Sequence, residues 1–168
     1  MKTHQKRTAE AGFTLIELLI VMSVILILMV LAIPAMQGVR RTANQTSAIA
    51  SLRMLNQMEG QYNSTYPQHG FACTLPAMGG KQGSGSPTAE SAQLIPEDLA
   101  SGSKSGYIFN ITCGGKNTIN NQDQYNSYQI TATPTQVGST GNWGYCTDEN
   151  AQIHYDPKGG TNCTDLLQ

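Results

Sequence analysis

A single carboxylate at the start of a long apolar run is the first group in this chain that could take part in chemistry. Glu17 directly precedes the run, and from Leu18 to Met36 the only polar residue is Ser23. Such a run approaches the roughly 20 residues that a helix needs to cross a hydrocarbon core. An ionisable group costs roughly 2.5–3.5 kcal/mol at the centre of a membrane helix on insertion scales. A chain that places this run in lipid must therefore give Glu17 a partner.

The segment before the run supplies that partner if the chain is cut after Gly12. Residues 1–12 carry three basic residues and one acid and end in Ala-Gly. Basic flanking charge holds such an end in the cytoplasm, and the small residue precedes the apolar run, whereas a secretory signal peptide has its cleavage site after the run. Cleavage after Gly12 would keep the run and create an amine at Phe13, four residues before Glu17. We expect this amine and the carboxylate to pair, within one copy or between neighbouring copies.

The sequence at this site resembles a known family. Residues 12–21, Gly-Phe-Thr-Leu-Ile-Glu-Leu-Leu-Ile-Val, are similar to the processing site of type IV prepilins and of the pseudopilins of type II secretion systems. The resemblance implies that a prepilin peptidase cuts between Gly12 and Phe13 and then N-methylates Phe13. It also implies an assembly role for Glu17 and a helix kink at Pro34.

The charge of the chain argues against nucleic-acid binding. The formal net charge is −1, and loss of residues 1–12 changes it to −3, from 7 Lys/Arg against 10 Asp/Glu. Nucleic-acid-binding domains are expected to be basic. Only 12% of the residues are charged, and a polar but weakly charged surface suits a packed assembly better than a free cytosolic enzyme.

The helix that begins in the apolar run is predicted to continue beyond it. No proline occurs between Gln37 and about Tyr66. Apolar residues recur every three or four positions from Ile49 onward, which is typical of an amphipathic helix. The apolar positions are Val39, Ile49, Leu52, Leu55, Met58 and Tyr62. The joined helix would hold about 50 residues and span roughly 75 Å at 1.5 Å per residue. Pro34 should bend it, and Pro67 should end it.

The last third of the chain is predicted to form antiparallel strands. Four segments alternate between apolar and polar residues or form short apolar runs: Tyr107–Cys113, Tyr125–Thr133, Trp143–Cys146 and Ala151–Tyr155. Clusters of Gly and Asn at 114–121 and 138–142 are predicted to separate them. Before the strands, residues 95–102 resemble one or two helical turns, with Pro96 near the first helical position.

These elements predict an α+β fold. A long N-terminal α-helix, transmembrane in its first half and amphipathic in its second, packs against a small antiparallel β-sheet head, as in type IV pilins. The predicted organisation follows the chain: a leader at 1–12 that is removed, a transmembrane or filament-core helix at 13–36, its amphipathic continuation at 37–66, and a periplasmic head at 67–168.

Four cysteines in the predicted head indicate an oxidising compartment. Cys73, Cys113, Cys146 and Cys163 are 40, 33 and 17 residues apart, and without a Cys-x2-Cys pair a zinc site is not expected. Three disulfide pairings are possible. We favour Cys146–Cys163 with Cys73–Cys113, because the first closes the shorter loop and contributes roughly 3 kcal/mol in the chain-entropy model. Pilins often carry a disulfide-closed C-terminal loop, so the resemblance implies the same pairing.

The sequence offers little catalytic or metal-binding chemistry. Histidines stand at positions 4, 69 and 154, without a recognisable nucleophile motif. Asp148, Glu149 and Asp156 form a candidate cation cluster, but their spacing does not fit an EF-hand loop, and we expect solvated turn acids instead. The chain is therefore predicted to be no enzyme and to need no cofactor and no metal.

The predicted function is that of a structural subunit in a type IV pilus-like filament. A single-pass precursor in the inner membrane, with a periplasmic head, would be cut by prepilin peptidase/N-methyltransferase. An inner-membrane assembly platform would then pack it with identical or related pilin subunits into an extracellular pilus. One alternative is a pseudopilin in a periplasmic pseudopilus of a type II secretion system. A second is an unpolymerised, single-span, membrane-anchored binding domain, which would have no use for a buried carboxylate at Glu17.

Overall fold

The predicted long helix is present at the N-terminus. The computed structural model describes residues 12–81, 83 and 85–167, with only the backbone described at 32–35. Helix α1 extends over Leu15–Thr65 and contains 51 residues. It ends two residues before Pro67, because the residue preceding a proline is disfavoured in the α region. Pro34, where a kink is predicted, is one of the residues whose side chains the structure does not describe. The kink therefore stays a prediction.

The chain divides into two compact units, Met1–Gly38 and Val39–Gln168, here named the N-terminal unit and the head unit. In the described part of the N-terminal unit, residues 12–14 precede the helix and the rest belongs to α1. The head unit contains the second half of α1 and all the strands.

The head unit is built on a six-stranded antiparallel sheet. The strands are β1 Ser103–Lys104, β2 Tyr107–Ile119, β3 Gln122–Pro134, β4 Gly144–Asp148, β5 Ile153–Asp156 and β6 Asp165–Leu166. Each strand pairs with the next one along the chain, so the sheet order is β1-β2-β3-β4-β5-β6. The predicted α+β fold with an antiparallel meander is confirmed.

The β2–β3 hairpin is longer than the sequence pattern indicated. The cluster at 114–121 was predicted to lie between strands, and this was wrong, because β2 continues to Ile119. The cross-strand pair Gly114–Ser127 keeps the two strands in register through the glycines. The turn itself comprises Asn120 and Asn121, whose φ angles of 51° and 63° are left-handed values that asparagine tolerates in tight hairpins.

Two short helices lie in the connection between α1 and the sheet. Helix α2, Leu75–Met78, was not predicted; the Thr74 side chain caps it by accepting a hydrogen bond from the backbone N–H of Ala77 at 3.3 Å. Helix α3, Glu97–Ala100, lies within the predicted helical turns. Pro96 is the N-cap residue of α3 and not its first helical residue.

The hydrophobic core of the head unit lies between α1 and one face of the sheet. The sheet contributes the faces predicted from alternation, with Tyr107, Phe109, Ile111, Tyr128, Ile130 and Ala132 all buried. From α1 the buried apolar residues are Ala48, Leu52, Leu55 and Tyr62.

Two features of the predicted stripe differ from the buried face of α1. Val39 is 69% exposed. The next turns of α1 contact a loop through polar groups: Arg41 Nη1 donates to Asn142 Oδ1 at 3.4 Å, and Asn44 Nδ2 donates to the Thr140 carbonyl at 2.9 Å. Conversely, the buried face includes a carboxylate, since Glu59 is fully buried.

Candidate processing and assembly segment

The predicted cleavage site lies in an exposed stretch without regular secondary structure. Gly12 and Phe13 are both exposed and, together with Thr14, precede α1. The Gly12–Phe13 peptide bond therefore lies outside the helix in an exposed segment. A Cβ atom built on Gly12 would meet no atom within 4 Å. Among the residues that the structure describes, a side chain at this position thus has room.

Glu17 takes part in a capping box at the start of α1. The backbone N–H and the hydroxyl of Thr14 donate to Glu17 Oε2 at 2.9 and 2.7 Å. In return, the Glu17 N–H donates to Thr14 Oγ1 at 3.3 Å. This reciprocal arrangement satisfies backbone donors that a helix start would leave unpaired.

The role of Thr14 was not predicted, although the sequence carries a signal for it. Thr-x-x-Glu directly before an apolar run is the pattern of a capping box. The predicted pairing of Glu17 with the amine of Phe13 stays a prediction, because that amine exists only after cleavage. Both hydrogen bonds from Thr14 end on a single carboxylate oxygen, Oε2.

The helix surface beyond Glu17 is apolar on every side. Large apolar side chains between Leu15 and Leu31 expose from 40% to 84% of their surface. The polar Ser23 satisfies its hydroxyl within the helix by donating to the Ile20 carbonyl at 2.7 Å. A helix that is apolar all round needs a membrane or a protein environment around it. By length and composition no single helix in the described part of the chain passes as a membrane span, whereas the segments Leu15–Leu31 and Met36–Thr65 pass when taken together.

Two disulfides cross-link the head unit. Cys73 is bonded to Cys113, with their Cα atoms 5.2 Å apart, and Cys146 is bonded to Cys163, with their Cα atoms 6.0 Å apart. This is the pairing favoured from loop length. The first disulfide ties the segment after α1 to β2, and the second ties β4 to the C-terminal segment that ends in β6.

The candidate cation cluster is not assembled. Gly144 pairs with Asp156 across the β4–β5 hairpin, so Asp148 and Asp156 lie at opposite ends of that hairpin. Asp148 accepts hydrogen bonds from Asn150, while Asp156 accepts from the backbone N–H groups of Lys158 and Asn162. Among the residues that the structure describes, no group of three His, Cys, Asp or Glu side chains is arranged to hold a metal ion.

The histidines have separate surroundings. His69 Nε2 lies 3.2 Å from Gln122 Nε2, beside the β2–β3 hairpin. His154 stands opposite Cys146 in the β4–β5 ladder. His4 lies outside the described residues.

The burial of one carboxylate in the head unit was not predicted from the sequence. Glu59 Oε2 accepts a hydrogen bond from the Ala72 N–H at 2.9 Å, whereas Oε1 has no hydrogen-bond partner within the described structure. Burial raises the pKa of Glu59 to about 7, and the bond from Ala72 opposes this rise. The pKa of Tyr128 is also raised, first by burial and second by the nearby Glu59.

Comparison with known proteins identifies the N-terminal segment and leaves the head without a match. Neither the curated proteins nor the solved structures include a significant match. One family does match, the Prokaryotic N-terminal methylation motif, over residues 7–33. These residues include the exposed Gly12–Phe13 bond, the capping box and the apolar helix described above. The chain thus carries the N-terminal methylation motif that is the signature of type IV pilins and pseudopilins.

Proposed function

We propose that this chain is the structural subunit of a type IV pilus-like filament. The observation that carries the proposal is the exposed apolar surface of residues 15–31, which begins at a single carboxylate. A helix of this kind is unstable in water, because its burial contributes favourable free energy only when another apolar phase surrounds it. Lipid provides that phase before assembly, and neighbouring helices provide it in the filament core.

Processing precedes assembly in this proposal. The methylation motif implies that prepilin peptidase acts on the chain, and the exposed Gly12–Phe13 bond is accessible to such an enzyme. Cleavage leaves Phe13 as the new N-terminus, and methylation keeps its amine cationic. The mature subunit is then a single-pass protein of the inner membrane, with its disulfide-bonded head on the periplasmic side, where disulfides form and persist.

Glu17 sets the axial register of assembly. In lipid an unpaired carboxylate is costly, and the cationic amine of Phe13 on a neighbouring subunit relieves that cost at only one depth. The attraction within such a pair is offset by desolvation of both charges, so the pair specifies the position of the incoming subunit more than it stabilises the filament. The capping box with Thr14 holds Glu17 at the helix start until that partner arrives.

The head favours a pilus over a secretion pseudopilus. Two disulfides brace it, which suits a subunit that leaves the cell. The filament exterior is formed by the heads, and their role is structural rather than catalytic. The experiment is deletion of the gene in the host. We expect loss of surface filaments that an antibody against the head labels, with protein secretion unchanged. Retained filaments together with exoproteins trapped in the periplasm would instead identify a pseudopilin.

The role of Glu17 is tested by two substitutions that separate its charge from its cap. Glu17→Gln keeps an amide oxygen for Thr14, since glutamine also completes a capping box, but it cannot form an ion pair. Glu17→Val removes both functions. We expect both variants to be cut after Gly12, to insert in the membrane and to form no filaments, as judged by intact mass, membrane fractionation and electron microscopy.

The two variants also distinguish the alternatives. If Glu17→Gln assembles like the wild type and only Glu17→Val fails, the cap and not the charge is needed for assembly. If both assemble normally, Glu17 is no register device. Were the wild-type chain itself never found in filaments, the unpolymerised membrane-anchored domain would be the better interpretation.

A further inference from the structure

An exposed aromatic patch lies on the head unit, next to the loop that bonds to Arg41 and Asn44 of α1. It consists of Val137, Trp143, Tyr155 and Lys158 and is here named the aromatic patch. Trp143 is 39% exposed and Val137 is 56% exposed. The ring of Trp143 contacts the half-buried ring of Tyr155, with the centroids 5.0 Å apart and the planes tilted by 34°. Lys158 is exposed as well.

The strand register and one glycine contact hold the patch together. Because Gly144 pairs with Asp156, Trp143 and Lys158 lie at the same end of the β4–β5 hairpin. A Cβ atom on Gly159 would come within 2.7 Å of Val137 Cγ2, so Val137 packs closely against the backbone next to Lys158. The carboxylate of Asp156 is buried and accepts the Lys158 N–H.

The patch is tied to the first turns of α1 in the head unit. Arg41 bonds to Asn142, the residue before Trp143, and Asn44 bonds to Thr140 in the same loop. Arg41 follows Met36, where the apolar run ends, by five residues. Five residues reach about 8 Å as a helix and at most about 18 Å fully extended. The attachment point of the patch therefore lies within that reach of the end of the apolar run, however the two units are arranged.

We propose that the aromatic patch docks on the anionic headgroups of the bilayer while the subunit is anchored in the membrane. This inference rests on the proposed function, which places the apolar run in lipid. Tryptophan and tyrosine favour the membrane–water interface, because their rings combine an apolar body with a polar edge. Lysine and arginine beside them are attracted to anionic lipids. Val137 adds an apolar contact.

Docking would fix the orientation of the head before assembly. A head held by the patch cannot rotate freely about α1, so the surfaces that meet the next subunit would be presented in one orientation. Extraction into the filament would then have to release the patch from the headgroups.

The sequence supplies a built-in probe, since Trp143 is the only tryptophan in the chain. We would reconstitute the full chain at low density in vesicles of phosphatidylethanolamine and phosphatidylglycerol and record tryptophan emission. Lipids brominated near the headgroup end of the acyl chain should lower the emission about twofold, because a ring at the interface lies within contact of the bromines. Lipids brominated near the methyl end should lower it far less.

Two variants keep the probe and alter its neighbours. Lys158→Gln should reduce quenching in the anionic vesicles but not in vesicles of phosphatidylcholine alone. Val137→Asn should reduce it in both. The matched control is Lys116→Gln, which removes the same charge from the β2–β3 hairpin, where Lys116 pairs with Asp123 at 2.8 Å. The tryptophan emission of that variant should be quenched as much as that of the wild type.

Each outcome decides between the proposals. Vesicle association without any quenching would overturn the docking inference and leave the filament proposal intact. A blue shift of emission that appears only when subunits assemble would assign the patch to a neighbouring subunit and also overturn it. Failure of the chain to associate with vesicles would overturn both the inference and the membrane stage of the proposed function.

Discussion

The two halves of helix α1 share one secondary structure but differ in what surrounds them. Between Leu15 and Leu31 the large apolar residues are exposed all round the helix, whereas between Ala48 and Tyr62 they are buried along one face against the sheet. The first half lacks a core and must find its apolar environment outside the chain. The second half is packed in the hydrophobic core of the head unit. Division of the chain near Gly38 follows this difference.

The polar groups of the two regions are also satisfied in different ways. In the N-terminal unit the bonds are local: Glu17 bonds to Thr14, and Ser23 to Ile20. The head unit has local bonds as well, such as Asp148 with Asn150, but it adds bonds between residues distant in sequence, as between Asn56 and Thr147. Locally satisfied groups keep their partners when a helix moves from lipid into a filament. The N-terminal unit is therefore suited to change its environment, and the head unit is suited to keep its own.

The largest effect should come from the cleavage site. If the proposed processing is correct, Gly12→Trp should abolish cleavage almost completely and leave the uncut precursor in the inner membrane, because it replaces the small residue before the proposed scissile bond with a bulky one. Because no atom of the described residues lies within 4 Å of a Cβ atom on Gly12, we expect the substitution to leave their fold unchanged. Intact-mass analysis of the membrane fraction should show residues 1–12 retained and no added methyl group.

The same substitution in the head unit provides the control. A Cβ atom on Gly60 in α1 would likewise meet no atom within 4 Å, so Gly60→Trp should be cut and methylated normally. Normal processing of Gly12→Trp would show that the site is read elsewhere. A wild-type protein whose mature form begins at Met1 would exclude cleavage altogether.

How far the sequence predicts the structure differs between these regions. The long helix and the alternating faces of β2 and β3 follow from composition and period, because each depends on residues close together in the chain. The strands β1 and β6 contain two residues each, which is too short for any periodicity to show. β6 exists because Cys163 is bonded to Cys146 and because the Leu167 N–H donates to the Ile153 carbonyl at 2.8 Å. The burial of Glu59 could not be predicted either, since its partner Ala72 lies in an irregular loop.

The disulfides should stabilise the head unit and leave the N-terminal unit unchanged. Replacing Cys73 and Cys113 together by serine should lower the free energy of unfolding by about 4 kcal/mol, and replacing Cys146 and Cys163 should lower it by about 3 kcal/mol. The first effect is larger because the unfolded chain gains more conformational freedom when the longer loop is no longer closed. Denaturant unfolding of the full chain in detergent micelles, followed by the emission of Trp143, measures both.

Hydrogen exchange should separate the two disulfides further. Loss of Cys146–Cys163 should first expose the amide of Leu167 and the residues of β6, since that disulfide fixes the C-terminal segment. The amides of α1 between Leu15 and Leu31 should exchange as in the wild type in either variant. Destabilisation of that segment by a disulfide variant would show that the stabilities of the two units are coupled, and it would contradict their independence.

The smallest effect concerns Glu59, and its sign follows from its raised pKa. In the folded head the carboxyl has a pKa of about 7 against a usual value of 4.5, so the folded state holds this proton more tightly than the unfolded state. Stability from this group is therefore full below pH 4.5 and is lost as the pH rises through 7. Glu59→Gln keeps an oxygen for the Ala72 N–H and carries no charge. It should raise the free energy of unfolding by about 1–3 kcal/mol at pH 8 and make little difference at pH 4.

The titratable side chains that face Glu59 are Tyr62 and Tyr128, and both have raised pKa values, caused first by burial and second by Glu59. Neither therefore ionises over the range from pH 4 to 8, so the part of the slope that Glu59→Gln removes in that range belongs to Glu59. Unfolding followed by Trp143 emission at several pH values measures it, and Glu149→Gln, an exposed turn residue, is the matched control. An unchanged slope in Glu59→Gln would mean that Glu59 is charged and accommodated in the folded head. The head would then tolerate an isolated charge in its core, while the N-terminal unit still needs a partner for Glu17.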